Sequence, residues 1–231
     1  MNTLTDTTTF DLQSSTLREV NRALHVPGVA GAFSIRNPRG AHALAAGVNA
    51  ELEISIEGHV GYYAAGMNQQ AAITIAGNAG VGVAENMMSG SVRVTGNASQ
   101  SAGATAHGGL LVVEGDAAAR CGISMKGVDI VVGGDVGHMS AFMAQAGRLV
   151  VRGDAGEALG DSIYETRIYV RGSVASLGAD CTVKEMRPEH HEELAALLAA
   201  AGYLEDDTHA YTRYGSARQL YHFTVDNADS Y

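Results

Sequence analysis

Leu149-Val150-Val151-Arg152-Gly153-Asp154-Ala155-Gly156 is answered nineteen residues later by Ile168-Tyr169-Val170-Arg171-Gly172-Ser173-Val174-Ala175. The glycine of this pair belongs to a longer series. Gly58, Gly77, Gly96, Gly115, Gly134, Gly153 and Gly172 all stand nineteen apart. A fixed period of this length marks stacked units, each burying its apolar face only against its neighbours.

The residues before each glycine define the unit. Ile56, Ile75, Val94, Val113, Val132, Val151 and Val170 stand two places ahead of it. Ile54, Ile73, Val92, Leu111, Ile130, Leu149 and Ile168 stand four places ahead. Alternation of β-branched residues predicts a short strand with one face buried. The residues between are polar at Ser55, Thr74 and Arg93 but apolar at Val112, Val131 and Val150. The middle coils therefore predict a cover on both faces.

The repeat glycine, with no Cβ, is expected to supply the positive φ of a sharp corner. Small residues recur three places on (Gly61, Gly80, Ser99, Ala118, Gly137, Gly156, Ala175) and seven places on (Ala65, Ala84, Gly103, Gly122, Ala141, Gly160, Ala179). They imply a narrow interior. One strand, one corner and one tight segment per unit predict an all-β solenoid. Its form is a single-stranded right-handed parallel β-helix of about seven 19-residue coils, with short helical caps at both ends. At about 4.8 Å per coil the rod would be about 34 Å long. Helix-pair repeats need thirty or more residues per unit, hexapeptide helices need a multiple of six, and leucine-rich repeats need leucines that are missing here.

The expected organisation is a cap over 1–45, the β-helix over 46–185, a helix over 186–202 and an extended tail over 203–231. In the cap, Ser15 is expected to begin a short helix that Pro27-Gly28 ends. Ala32 to Ile35 reads as an early strand or an irregular first coil. Pro188 to Ala201 reads as a helix closed by Gly202, shielding the open end of the rod. The tail carries five of the nine tyrosines. It fits either a contact surface for another subunit or a segment folded back on the rod. Under the first arrangement Tyr211, Arg213, Tyr214, Arg218, Tyr221 and His222 are the contact residues.

The net charge of −10 over 231 residues disfavours nucleic acid or an anionic membrane as a partner. No apolar run reaches the length of a membrane span and no basic-then-apolar leader opens the chain, so a cytoplasmic protein is expected. Cys121 and Cys181 lie three coils apart, about 14 Å along the axis, too far for a disulfide.

Candidate chemistry is sparse. His59, His107 and His138 follow their glycines by one, eleven and four places and form no ladder. His190-His191-Glu192-Glu193 lacks the spacing of a helical zinc site. Gly77-Asn78-Ala79-Gly80-Val81-Gly82 is glycine-rich, but no helix follows it as a phosphate loop requires. Asp116, Asp135 and Asp154 follow successive repeat glycines and read as turn aspartates rather than a cation cage. No catalytic residue, cofactor ligand or metal site is assigned to this chain.

The units Gly153-Asp154-Ala155-Gly156-Glu157-Ala158-Leu159-Gly160 and Gly172-Ser173-Val174-Ala175-Ser176-Leu177-Gly178 resemble the Gly-x-x-Gly-x-x-x-Gly signature of the GXGXG β-helix family. That family includes the C-terminal domain of the glutamate synthase large subunit. The resemblance covers roughly residues 50–185. The chain length, the helix to Ala201 and the stretch from Arg213 to Phe223 are similar to the small β-helix subunits of N-methylglutamate synthases. The resemblance implies a non-catalytic subunit holding an amidotransferase-like subunit against a flavin-dependent synthase subunit. FMN and an iron–sulfur cluster would reside in that synthase partner. The related β-helix subunit of formyltransferase/hydrolase or formylmethanofuran dehydrogenase complexes is the alternative.

Overall fold

The computed structural model describes residues 7–218. Eleven strands form one sheet. They are β1 (Thr7–Asp11), β2 (Gly31–Arg36), β3 (Leu52–Glu57), β4 (Ala72–Ala76), β5 (Ser91–Val94), β6 (Leu110–Val113), β7 (Lys126–Val132), β8 (Ala146–Val151), β9 (Arg167–Val170), β10 (Cys181–Lys184) and β11 (Thr212–Ser216). Two α-helices, α1 (Leu17–Leu24) and α2 (Pro188–Ala201), and a 3₁₀ turn at Thr208–Ala210 are the other regular elements among the described residues. The chain is a parallel β-solenoid of about seven turns. No helix among the described residues is long and apolar enough to cross a membrane.

Strands β1 to β9 pair in sequence order, all parallel, and the repeat sets their register. Ile54, Ile73, Val92, Leu111, Ile130, Leu149 and Ile168 stand opposite one another, coil upon coil. The column two residues on, from Ile56 to Val170, is buried throughout. In β3 and β4 buried and exposed residues alternate, whereas β6, β8 and β9 each end in three buried residues. The cause is α2. Leu194, Leu197, Leu198 and Ala201 close over the outward column Val112, Val131, Val150 and Tyr169. The expected cover on the middle coils is present.

The expected span of α2 is reproduced, with Gly202 as its left-handed C-cap at φ 90°. Its placement is not. The helix lies along the flank of β6–β9 and does not plug the rod's end, because that outward valine column needs burial. The end is closed instead by β11, which inserts antiparallel between β9 and β10 and takes up the backbone groups of β9. At the other end α1 buries Val20 and Leu24, and Asn21 bonds both Ala43 O and Ala45 N. Thr16, not Ser15, caps α1. Thr16 and Glu19 have the three-residue spacing at which each side chain reaches the other's backbone N–H. Ala32 to Ile35 is strand, within β2.

The repeat glycines act differently from expectation. Only Gly58 has a positive φ, at 132°. A Cβ on Gly77 would lie 2.7 Å from the Gly58 carbonyl carbon, one coil back. On Gly134 it would lie 2.0 Å from Asp116 Oδ1, and on Gly153 2.1 Å from Asp135 Oδ1. The glycine is needed because the neighbouring coil occupies the space. The residue after it forms a ladder. Asn97 N donates to Asn78 Oδ1, Asp116 N to Asn97 Oδ1, and Asp135 N to Asp116 Oδ1, each at 2.9 Å. Asp154 N and Ser173 N extend it at 2.7 Å, and His59 Nδ1 begins it by accepting from Asn78 N. The turn aspartates are thus bonded to backbone, and His59 does belong to a ladder.

Left-handed backbone occurs later in each coil. After Gly134 it appears at Met139 (φ 57°), Ala141 (57°) and Met143 (53°). Their N–H groups donate to Glu157 O, Cys121 O and Asp161 O, reaching the next coil, the previous one and the next again. Stacking thereby holds a conformation that costs an isolated L-residue about 1–2 kcal/mol. The interior is narrow as expected, since a Cβ on Gly103 would come 2.7 Å from Ile130 Cδ1. Both cysteines are free, and burial pushes the Cys121 thiol up to about 12.

The two accounts of the glycines are separable by a double-mutant cycle. Gly134→Ala is expected to cost about 2–3 kcal/mol, and Asp116→Ala about 1 kcal/mol for its hydrogen bond. Together they should cost less than the sum, because Asp116→Ala removes the atom that the new methyl meets. Denaturant unfolding of the four proteins checks this. Strict additivity would return the glycine to a purely conformational role.

Candidate functional site

The periodic coils carry little besides stacking, so the chemistry gathers where the repeat ends. There α2, the 3₁₀ turn and β11 return along coils built on β6 to β9. Two charged clusters pin them. Arg152 grips Asp206 through Nε at 2.6 Å and Nη2 at 2.8 Å, and the Tyr203 ring lies 3.8 Å from its Cζ. The Tyr211 hydroxyl donates to Asp206 at 2.7 Å, and Arg171 stands 3.6 Å away. These partners, Arg152 foremost, hold the Asp206 carboxyl below its usual range. In the second cluster Glu193 accepts from the Tyr169 hydroxyl at 2.6 Å and pairs with Arg167 at 3.2 Å and Arg148 at 3.4 Å.

At the start of α2 the same elements leave an open groove of about 480 Å³. Five cationic side chains line it: Arg167 of β9, Lys184 of β10, Arg187 before α2, Arg213 of β11, and Arg218. They are a third of the chain's 15 lysines and arginines. Arg218 pairs with Glu165 at 2.8 Å, and Arg187 pairs with Glu185 at 3.1 Å. His190, also on the wall, accepts from Arg187 N through Nδ1 at 3.1 Å. It stands where a glutamate would complete a capping box. Burial, reinforced by Arg213, holds its imidazole below the usual value of 6.5.

The residues expected to meet a partner divide. Tyr211 and Tyr214 are buried within the chain, Tyr211 under α2 and Tyr214 in the main core. The segment around them is folded back on the rod rather than extended, and these two rings are therefore corrected from contact to packing residues. Arg213 and Arg218 are on the groove wall. Tyr221 and His222 lie outside the described residues. Sequence reasoning missed Arg152 and Arg171, although each follows a repeat valine at the same offset. It also missed Arg167, Lys184, Arg187, Glu193 and Asp206, which are brought together only by the reversal of the chain. Among the described residues no three His, Cys, Asp or Glu side chains converge as metal ligands would.

No family model matches the chain. A stretch of 59 residues, 26% of the chain, is 57% identical to Protein GlxC of Rhizobium meliloti (strain 1021). The match spans 26% of that protein's length.

Two measurements test the site's anchoring. Asp206→Asn is expected to cost about 2–3 kcal/mol, since it removes the charged acceptor shared by Arg152 and Tyr211. Urea unfolding reads this, and a loss below about 0.5 kcal/mol would make the cluster a mere surface pair. His190 gives a pH dependence. Its folded-state pKa lies below its unfolded value, with Arg213 and Arg167 lowering it against Glu189 and Glu193. The unfolded chain therefore takes up the proton first, and stability falls as pH drops through about 6.5. His190→Gln should flatten the change in Tm between about pH 7.5 and 5.5. Carboxylate losses follow only below about 4.

Proposed function

We propose that this chain is a non-catalytic structural subunit of a glutamate-synthase-like enzyme complex, and that the complex is an N-methylglutamate synthase. That enzyme converts methylamine and L-glutamate to N-methyl-L-glutamate and ammonia. The observation carrying the reading is the parallel solenoid itself, whose nineteen-residue repeat resembles the GXGXG signature. Side chains that recur at the repeat spacing are occupied in joining coil to coil, as in the ladder from Asn78 to Asp154. The local 57% identity with Protein GlxC supports kinship with a complex of this kind.

In this reading the rod fixes distance. Each coil bonds to the next through strand pairing and the side-chain ladder, so the unit resists bending. An amidotransferase-like subunit and a flavin-dependent synthase subunit docked on it keep a constant separation and orientation. A reactive nitrogen intermediate then passes between their sites without loss to solvent. FMN and an iron–sulfur cluster belong to the synthase partner. The outer face of β2 to β4, with Ser34, Ser55 and Thr74 in line, offers one surface for such docking. The exposed Tyr62, Met67, Val81 and Met88 on other sides of the coils offer another.

Affinity purification of the tagged chain from its native cells should bring down both partners, with flavin absorbance and N-methylglutamate formation in the assembled fraction. The isolated chain should show no turnover. Turnover of methylamine and glutamate by the chain alone would overturn the structural role. Co-purification of formyltransferase and amidohydrolase-like proteins would overturn the assignment of the complex.

A further inference from the structure

We infer that the groove at the start of α2 is a binding site for a small oxyanion, a carboxylate or a phosphate group, held between Lys184 and Arg213. These two residues are cross-strand partners in the antiparallel pairing of β10 with β11. Partners in such a pair project to the same face, and like charges set opposite each other repel. Neither has a carboxylate partner among the described residues, whereas Arg167, Arg187 and Arg218 each have one. Arg213 is also fixed in place. Its Nε donates to Glu185 O at 2.9 Å, while its terminal nitrogens make no hydrogen bond among the described residues. A guanidinium anchored at one edge and open at the other is prepared for two-point contact with an oxyanion.

The surroundings favour the same occupant. Gly215, two residues beyond Arg213 on the same groove wall, lets the Lys184 stem lie across it, since a Cβ there would come 3.3 Å from Lys184 Cγ. Thr166 is 1% exposed, and its Oγ1 is a buried polar atom without a hydrogen-bond partner among the described residues. Unspent bonding capacity of this kind in a groove wall points to a missing polar group. The first turn of the fourteen-residue α2 opens beside it and adds the positive end of the helix dipole. The groove's size, about 480 Å³, falls in the range of small-ligand sites. The chain's net charge of −10 repels large acidic partners at long range, but a small anion feels mainly the local field.

The inference holds whatever complex the chain serves, and its test needs only the full-length chain. Titrations with inorganic phosphate and with succinate, at constant ionic strength in chloride, should each give saturable binding and a rise in Tm. The ratio of the two affinities tells phosphate from carboxylate as the preferred group. Arg213→Gln and Lys184→Gln should each weaken the preferred anion at least tenfold. Lys184→Gln should also raise Tm in anion-free buffer by relieving the cross-strand repulsion, which separates lost binding from lost folding. Arg120→Gln, on a distant coil, should leave affinity unchanged. No saturable binding of either anion would overturn the inference, as would equal affinity in wild type and both groove variants. Binding confined to heparin or to polyglutamate would also overturn it, in favour of a macromolecular interface.

Discussion

Contact between successive coils is the constraint from which the rest of this structure follows. Each coil lends backbone acceptors and one side-chain oxygen to the N–H groups of the next. The approach is so close that a single methyl at the repeat glycine would overlap an atom of the coil behind, 2.0 Å away at Gly134. A coil by itself has no core and no complete set of hydrogen bonds. Its left-handed residues are unfavourable alone and are held only by neighbours on both sides. Stability is therefore a property of the stack, and a fault in one rung is felt by the two rungs beside it.

Much of this was legible in the sequence because stacking imposes the same demand every nineteen residues. The strands, their inward columns and the extra cover on the middle coils all follow from reading Ile56, Val94 or Val150 at a fixed offset. The helix from Pro188 to Ala201 was equally legible, since proline at its start and Gly202 beyond its end mark it by local geometry. The function of the repeat glycines was not. A sequence shows that glycine is required, but whether for its φ or for its missing Cβ depends on what stands one coil away. Thr16 and Ser15 similarly differ by one residue, and only the spacing to Glu19 separates them.

The end of the chain was legible in composition but not in arrangement. Its tyrosines and arginines suggest a sticky segment, which suits a partner surface and a self-packing clasp alike. What decides is the need of β9 for a hydrogen-bonding neighbour, and of the outward valine column for cover. Both needs are created by coils far away in sequence. Tyr211 and Tyr214 meet them and become buried. Arg213 shares a strand with Tyr214 but is carried to the opposite situation, on the groove wall with no carboxylate partner among the described residues.

This contrast bears on where function resides in a solenoid. Within the repeat a side chain at a stacking position is replicated every coil, and its polar atoms are engaged by the coil above. Singular chemistry requires a place where the translation stops. Here it stops at β9, where the next strand in the sheet runs antiparallel and arrives from beyond α2. That reversal sets Lys184 opposite Arg213, two residues that do not stand at the nineteen-residue spacing. The ladder residue Asp154 has its Oδ1 taken by Ser173 N, whereas Thr166 Oγ1 has no such neighbour. The coils supply a stacked frame, and the interruption of the coils gathers five cationic side chains at one groove of an acidic protein.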